Sequence, residues 1–157
     1  MATKPTSGEK LIASNKKAFH DYFIVQKFEA GLVLNGTEVK ALRDGKANLK
    51  DAYVIFKEGE AFLFGAHVSP YSHGNIQNHE PERTRKLLLH RNEIEKLRVQ
   101  TVEKGLSIVP LRLYFKGSRV KVEIAIVRGK KQYDKRETER TREADREAAQ
   151  AMKSSRR

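Results

Sequence analysis

The clearest pattern in the chain is an alternation: Val120, Val122, Ile124 and Ile126 are interleaved with Arg119, Lys121, Glu123 and Ala125. A period of two is that of a β-strand with one face on a core and the other on solvent or ligand. The run before it is the natural hairpin partner. There Leu106 and Ile108 share one phase and Leu111, Leu113 and Phe115 the other, with Val109-Pro110 between them. A phase slip of one residue at a proline predicts a β-bulge.

Other elements follow from the same reading. Residues 53–57 and 61–68 are apolar runs around Glu58-Gly59-Glu60, which has the composition of a hairpin turn. Phe23, Ile24, Val25, Phe28, Leu32, Val33 and Leu34 predict a bent strand pair or one long strand over 22–34, with Gly31 as a bulge. Residues 38–43 read as a short helix with Val39 and Leu42 on one face, stopped by Asp44-Gly45. Residues 92–104 read as a longer one: Ile94, Leu97 and Thr101 share a face, Asn92 caps, Glu95 takes the capping-box position and Gly105 ends it. Between them lie a polar loop over 69–84 and the short apolar run Leu87-Leu88-Leu89. About six short strands with two to three flanking helices predict a mainly β, α+β fold. A small sheet with one wet face removes its edges by curling, so the expected form is an oligonucleotide-binding-like antiparallel barrel, closed or partly closed.

Two stretches lack the pattern. Residues 1–18 are polar, with Pro5, Gly8 and a Lys16-Lys17 pair, and are expected to form a mobile basic arm ahead of a barrel domain at 19–128. Residues 129–157 contain no Val, Ile, Leu or Phe, and 17 of the last 30 residues are charged. Such a tail buries too little apolar surface to offset chain entropy and is expected to be disordered when free. Yet from Thr138 onward it has no Gly or Pro, and Ala144, Ala148 and Met152 recur at every fourth position, a weak amphipathic helix waiting for a surface.

Charge then narrows the partners. The 157 residues include 32 Lys and Arg against 20 Asp and Glu, a net +12. A field of that size attracts polyanions before any specific contact forms, with nucleic acid first among them. There is no cysteine, which removes disulfides, thiolate nucleophiles and cysteine metal sites together. No apolar run has the length of a signal peptide core or a membrane span, so a soluble, cytoplasmic protein without membrane contact is expected.

The chemistry-bearing residues point away from catalysis. His67, His73, His79 and His90 show no ligand pair at helical spacing and read as ordinary surface histidines. Gly31 and Gly36 have the spacing of a phosphate loop's glycines, but Thr37-Glu38 follows where Lys and Ser or Thr are required. No paired acid and base suggests a nuclease. Neither catalytic residue, metal nor cofactor is expected. The basic groups are better supported: Arg83, Arg85 and Lys86 within four residues, Lys40 and Arg43 on one short helix, and Arg128, Lys130, Lys131, Lys135 and Arg136 at the start of the tail. Tyr22, Tyr53, Tyr114 and Tyr133 interleave with them, and a tyrosine on a barrel's wet face offers a platform for an unpaired base.

Four strings carry more information: Phe28-Glu29-Ala30-Gly31, then residues 36–43 (GTEVKALR), 83–89 (RTRKLLL) and 129–136 (GKKQYDKR). In this order and spacing they closely resemble the SsrA-binding protein (small protein B) family, partners of transfer-messenger RNA in bacterial trans-translation. The resemblance runs from about Asn15 to the C-terminus, with Ala41 and Ala52 standing where serine is commoner. It implies a barrel that holds the tRNA-like domain of transfer-messenger RNA, and a tail, helical on the ribosome, that occupies the empty decoding centre and mRNA channel of a stalled ribosome. By motif position, Asn15, Tyr22, Glu29, Tyr53, Arg83, Arg85, Lys86 and Leu88 form the RNA-facing set, joined by the basic Lys16, Lys17, Lys40 and Arg43. Lys130, Lys131, Tyr133, Asp134, Lys135, Arg136 and Met152 form the ribosome-facing set. Arg and Lys would position phosphates and tyrosines would stack, while Glu29, which can only accept, would read a base or a ribose hydroxyl unless it serves a barrel salt bridge. Elongation factor Tu and alanyl-tRNA synthetase would be met indirectly through the RNA, and the bound protein would be a monomer. The rival reading is a constitutive architectural ribosomal RNA-binding protein.

Overall fold

The computed structural model describes residues 9–71, 78–130 and Arg146. Among them the elements run β1 (Glu9–Ser14), α1 (Lys16–Asp21), β2 (Tyr22–Leu32), α2 (Gly36–Arg43), β3 (Ala47–Asn48), β4 (Tyr53–Lys57), β5 (Glu60–Phe64), β6 (His67–Val68), β7 (Arg85–Leu88), α3 (Arg91–Val102), β8 (Ser107–Lys116) and β9 (Arg119–Gly129). Seven strands form one antiparallel sheet in the order β1-β8-β9-β2-β7-β5-β4, and β3 pairs separately with β6. The sheet curls until β4 packs against β8, without the hydrogen bonds that would close it. The barrel is therefore partly closed, mainly β, and carries three helices.

The long hairpin is what the alternation dictates. β8 and β9 pair from Lys116↔Arg119 to Ser107↔Val127, and the register slips between Pro110 and Arg112. The bulge sits at Leu111, one residue past the proline, and it divides the apolar side chains between two faces. Ile108, Leu113, Val120, Val122, Ile124 and Ile126 enter the barrel core with Leu42, Leu63, Leu87 and Leu97. Val109, Leu111, Ala125 and Val127 point the other way and are covered by Ala18 and Phe19 of α1.

Several expectations are corrected here. The N-terminal arm does not extend to residue 18: Glu9–Ser14 pair with β8, and α1 follows at once. Ile12 and Ala13 pack on the core and Ala18 is buried, which holds this segment down. β2 is one strand, and its irregularity lies between Ile24 and Gln26, not at Gly31. Gly31 serves a close approach instead, since a Cβ there would lie 3.1 Å from the Leu88 Cβ of the paired β7. The β4–β5 turn is only Glu58-Gly59, both at positive φ (53° and 75°), the two-residue geometry that matches strand twist. α3 begins after His90, not Asn92. Its Glu93 carboxylate accepts from the His90 backbone N–H at 3.0 Å, while Glu95 pairs with Arg98. His79 is not a surface residue: it is buried, with Nε2 donating to the Val68 carbonyl (2.8 Å) and Nδ1 accepting from the Thr37 hydroxyl (2.9 Å). The tail, from residue 131 on, lies outside the described residues apart from Arg146.

One buried ion pair ties these pieces together. Glu38, fully buried in the first turn of α2, accepts from the Asn35 N–H at 2.8 Å, from Arg83 Nη2 at 2.6 Å and from Arg85 Nε. Arg85, equally buried, also donates to the Ala66 and Pro81 carbonyls at 2.9 and 3.1 Å. Burial alone would raise the Glu38 pKa, but the donors from Arg83, Asn35 and Arg85 outweigh it and hold the carboxyl below its ordinary 4.5. Removing one partner strands the other charge in the core, so Glu38→Ala should destabilise the protein by about 3–5 kcal/mol in chemical denaturation. Because the folded pKa lies below 4.5, the contribution of Glu38 is complete above about pH 4.5 and is lost as pH falls through the lowered value. Glu38→Gln should be less stable at neutral pH, and its stability should fall less steeply below pH 4.5.

Candidate nucleic-acid interface

Strand geometry sorts the basic cluster at 83–86. Along β7 successive side chains alternate, so Arg85 and Leu87 point into the core and Lys86 and Leu88 point out. Arg85 is thus not available to a phosphate: its guanidinium is spent on Glu38, Ala66 and Pro81. Arg83 is partly exposed, with one end held by Glu38 and by the Val33 carbonyl at 3.2 Å. Lys86 is solvent-facing and paired with Glu60 at 2.9 Å, and Leu88 is more than half exposed over Gly31.

Lys86, Leu88 and Glu29 line one wall of a cleft of about 870 Å³. Its other walls are the β4–β5 hairpin, with Phe56, Glu58 and Glu60, and the first turns of α3, with Arg91, Glu93, Ile94, Glu95 and Arg98. Glu29 makes the salt bridge weighed from the sequence and also lines the cleft. It accepts from the Tyr114 hydroxyl at 2.5 Å and from Lys116 at 3.3 Å, and its carboxylate still reaches the cleft. The Tyr114 hydrogen bond is the main reason its pKa lies below 4.5, so it is an ionised acceptor at neutral pH. Burial, chiefly, and the same bond push the Tyr114 hydroxyl well above its ordinary 10. Tyr114 is 3% exposed and offers no stacking face, contrary to the expectation for it.

The other tyrosines meet elsewhere. Tyr22, Tyr53, Lys17 and Asn15 line a second cleft of about 250 Å³ with Asp21, Asp51 and Ser107. Tyr53 is 44% exposed and braced by Phe64, ring centroids 5.2 Å apart. Lys16 is exposed on α1 without lining the cleft, and Lys17 reaches Asp51 at 2.6 Å. Asn15 lines this cleft chiefly as a structural member. It is buried, its carbonyl oxygen accepts from the Ala18 N–H, and its amide donates to the Pro110 and Leu49 carbonyls at 2.9 and 3.4 Å. It fixes the start of α1, and so the place of Lys17 and Tyr22, against the bulge of β8. The two clefts lie toward opposite ends of β2, since Tyr22 and Glu29 are roughly 23 Å apart along an extended strand.

Lys40 and Arg43 are exposed on α2 away from both clefts, Lys40 over the Tyr71 ring at 5.5 Å. Where β9 ends, Arg128 and Lys130 lie over the half-exposed ring of Phe23, 5.3 and 5.2 Å from its centroid. Phe23 was absent from the sequence-derived set, as were Asp51, Glu60, Arg91, Arg98 and Lys121. No local signal marks them: Phe23 meets Arg128 and Lys130 only where β2 pairs with β9, and the others become walls of a cleft only through tertiary packing. Lys131, Tyr133, Asp134, Lys135, Arg136 and Met152 lie outside the described residues. Among the described residues no group of His, Asp and Glu could hold a metal ion, and no helix is long and apolar enough to cross a membrane.

If Tyr114 holds Glu29 in its ionised, oriented form, Tyr114→Phe should move the Glu29 carboxyl pKa upward toward 4.5. Carbon-detected NMR titration of the Glu29 side chain reads this directly, with Glu95 as an internal control.

Three comparisons place this arrangement. A family model described as "SmpB protein" matches residues 12–154. The SsrA-binding protein of Geobacter sulfurreducens is 58% identical over 146 residues, covering 93% of this chain and 95% of that protein. Its counterpart in Pelobacter propionicus is 60% identical over 147 residues, 94% and 97% of the two chains. Among solved structures, a chain described under "tmRNA-SmpB: a journey to the center of the bacterial ribosome" superposes with a TM-score of 0.66 at 42% identity, over 76% of this chain and 85% of that one. A match that begins in β1, spans the whole barrel and continues to residue 154 establishes that this chain belongs to the SmpB family.

Proposed function

We propose that this chain binds the tRNA-like domain of transfer-messenger RNA with its barrel and delivers that RNA to stalled ribosomes, where the C-terminal tail reads the empty mRNA path. The observation that carries the reading is the convergence of Tyr22 and Tyr53 with Lys17 in one cleft of a chain of net charge +12. Exposed tyrosine faces next to cations suit unpaired, stacked bases, the form in which RNA displays sequence. Glu29 adds a pure acceptor in the larger cleft, suited to a base amino or imino group or a ribose hydroxyl. The names of the relatives and the solved neighbour speak of the same partners.

The work is binding and placement in the cytoplasm, with no catalytic step or cofactor on the protein. Lys16, Lys17, Lys86, Arg83, Lys40 and Arg43 hold phosphates, Tyr22 and Tyr53 stack, and Leu88 packs against a sugar or base. Asn15 and Arg85 act through the fold that presents these groups. In the tail, Lys130, Lys131, Tyr133, Asp134, Lys135 and Arg136 form a junction on ribosomal RNA, and Met152 lies on one side of a helix that forms there.

Gel shifts with the tRNA-like RNA test the barrel. Neutralising about five to eight phosphates gives a slope of log K against log salt of about −4 to −7, and a slope near zero refutes the electrostatic component. Tyr53→Ala should cost about 1–3 kcal/mol of affinity while leaving the fold intact.

Ala148→Pro tests the tail, since proline inside a helix costs about 3 kcal/mol. RNA binding should survive and tagging of stalled peptides should fail. If this variant tags as well as its parent, the helical tail is wrong. Ribosome fractionation separates a rescue factor, substoichiometric and enriched on stalled ribosomes, from an architectural protein present on every subunit.

A further inference from the structure

The charge of the clefts runs against that of the chain. In a protein of net +12, the smaller cleft is lined by two carboxylates, Asp21 and Asp51, against one lysine. The larger is lined by five carboxylates against four lysines and arginines. In each, the lysine that would meet RNA already holds an exposed acid from another element: Lys17 of α1 reaches Asp51 at 2.6 Å, and Lys86 of β7 reaches Glu60 of β5 at 2.9 Å.

Neither pair has the character of a stability device. All four side chains are between 43% and 68% exposed, and exposed ion pairs contribute little to folding. Asp51 also sits at φ +64°, a left-handed backbone in which most side chains are disfavoured and Asp and Asn are tolerated. The position holds a short side chain against the cleft mouth, facing Lys17.

Resting on the RNA-binding reading above, we propose that Asp51 and Glu60 are specificity-determining residues. Each occupies, as an internal carboxylate, the lysine that a phosphate would otherwise take. A phosphate arriving alone must displace a carboxylate, so the exchange gains little. An RNA that also supplies a base for Tyr53 or a donor for Glu29 gains those contacts on top of the exchange. The protein's long-range field therefore gathers RNA of any kind, and the clefts retain the kind with bases to offer.

The test uses the full-length protein, the tRNA-like RNA and an unrelated duplex hairpin of equal length. Asp51→Asn suits it because asparagine accepts the same backbone conformation, and Glu60→Gln keeps the shape of its side chain. Each variant should tighten binding to the hairpin by about two- to fivefold at low salt, and to the tRNA-like RNA by less, so that discrimination falls. The hairpin's salt slope should steepen by about 0.7–0.9 per variant, the signature of one more phosphate neutralised. Glu103→Gln removes the same charge at the exposed end of α3, outside both clefts, and should leave discrimination unchanged. If Glu103→Gln lowers discrimination as much, or if Asp51→Asn and Glu60→Gln leave it unaltered, the inference is overturned while the RNA-binding reading stands. If the parent protein prefers neither RNA, both fall.

Discussion

The carboxylate of Glu38 is the point on which much of the molecule is hung. It lies at the first turn of α2, receives donors from its own helix cap and from two arginines, and has no contact with water. A charge there is costly without partners, and Arg83 and Arg85 are the two cations brought to it, Arg85 the fully buried one. Arg85 in turn holds the Ala66 and Pro81 carbonyls and so gathers the segments on either side of β6. Such pairs add little to net stability compared with apolar packing, but they tolerate few alternative arrangements. Here the arrangement enforced is the register of β7, and β7 decides which residues face the large cleft.

From that register the rest of the interface follows by geometry. With Arg85 inward, Lys86 and Leu88 must be outward, and Leu88 can lie against β2 because position 31 is glycine. The same hydrogen-bonded ladder sets Glu29 in the wall of the cleft, where Tyr114 and Lys116 orient its carboxylate. At the other end of β2 a different constraint operates. The bulge at Leu111 turns Val109 and Leu111 outward, α1 is needed to cover them, and the Asn15 side chain pins α1 there. Covering that small outer core is what brings Lys17 and Tyr22 beside Tyr53.

Attraction and discrimination are assigned to different length scales. The net charge acts over roughly a Debye length, about 8–10 Å at physiological salt, and is indifferent to sequence. Within the clefts acids outnumber bases, two to one and five to four, so on the proposed reading stacking faces and oriented acceptors decide what remains bound. A surface made only of lysine would hold every RNA in the cell. An acid lies within 3 Å of one lysine in each cleft, Asp51 beside Lys17 and Glu60 beside Lys86, which is the arrangement the proposed selectivity rests on.

The sequence by itself determined what depends on neighbours along the chain. The alternation at 119–126, the phase slip near Pro110, a hairpin turn around Glu58-Gly59 and the existence of helices near 38–43 and 92–104, though not their first residues, are local signals, legible because side-chain period and backbone preference are local. Net charge and the four family strings are equally properties of the sequence. It did not show that Glu9–Ser14 is a strand, because a polar edge strand takes its pairing from β8 and not from its own apolar content. Nor did it divide Arg83, Arg85 and Lys86, which look alike as a string. Only the tertiary structure decided that Arg85 is buried on Glu38, that Asn15 is a brace, that Tyr114 is enclosed, and that Tyr22 and Tyr53, which lie on strands not paired with each other, share a cleft. Each of those outcomes is set by which distant strand a residue is packed against, and burial, hydrogen-bond partners and exposure are consequences of that packing.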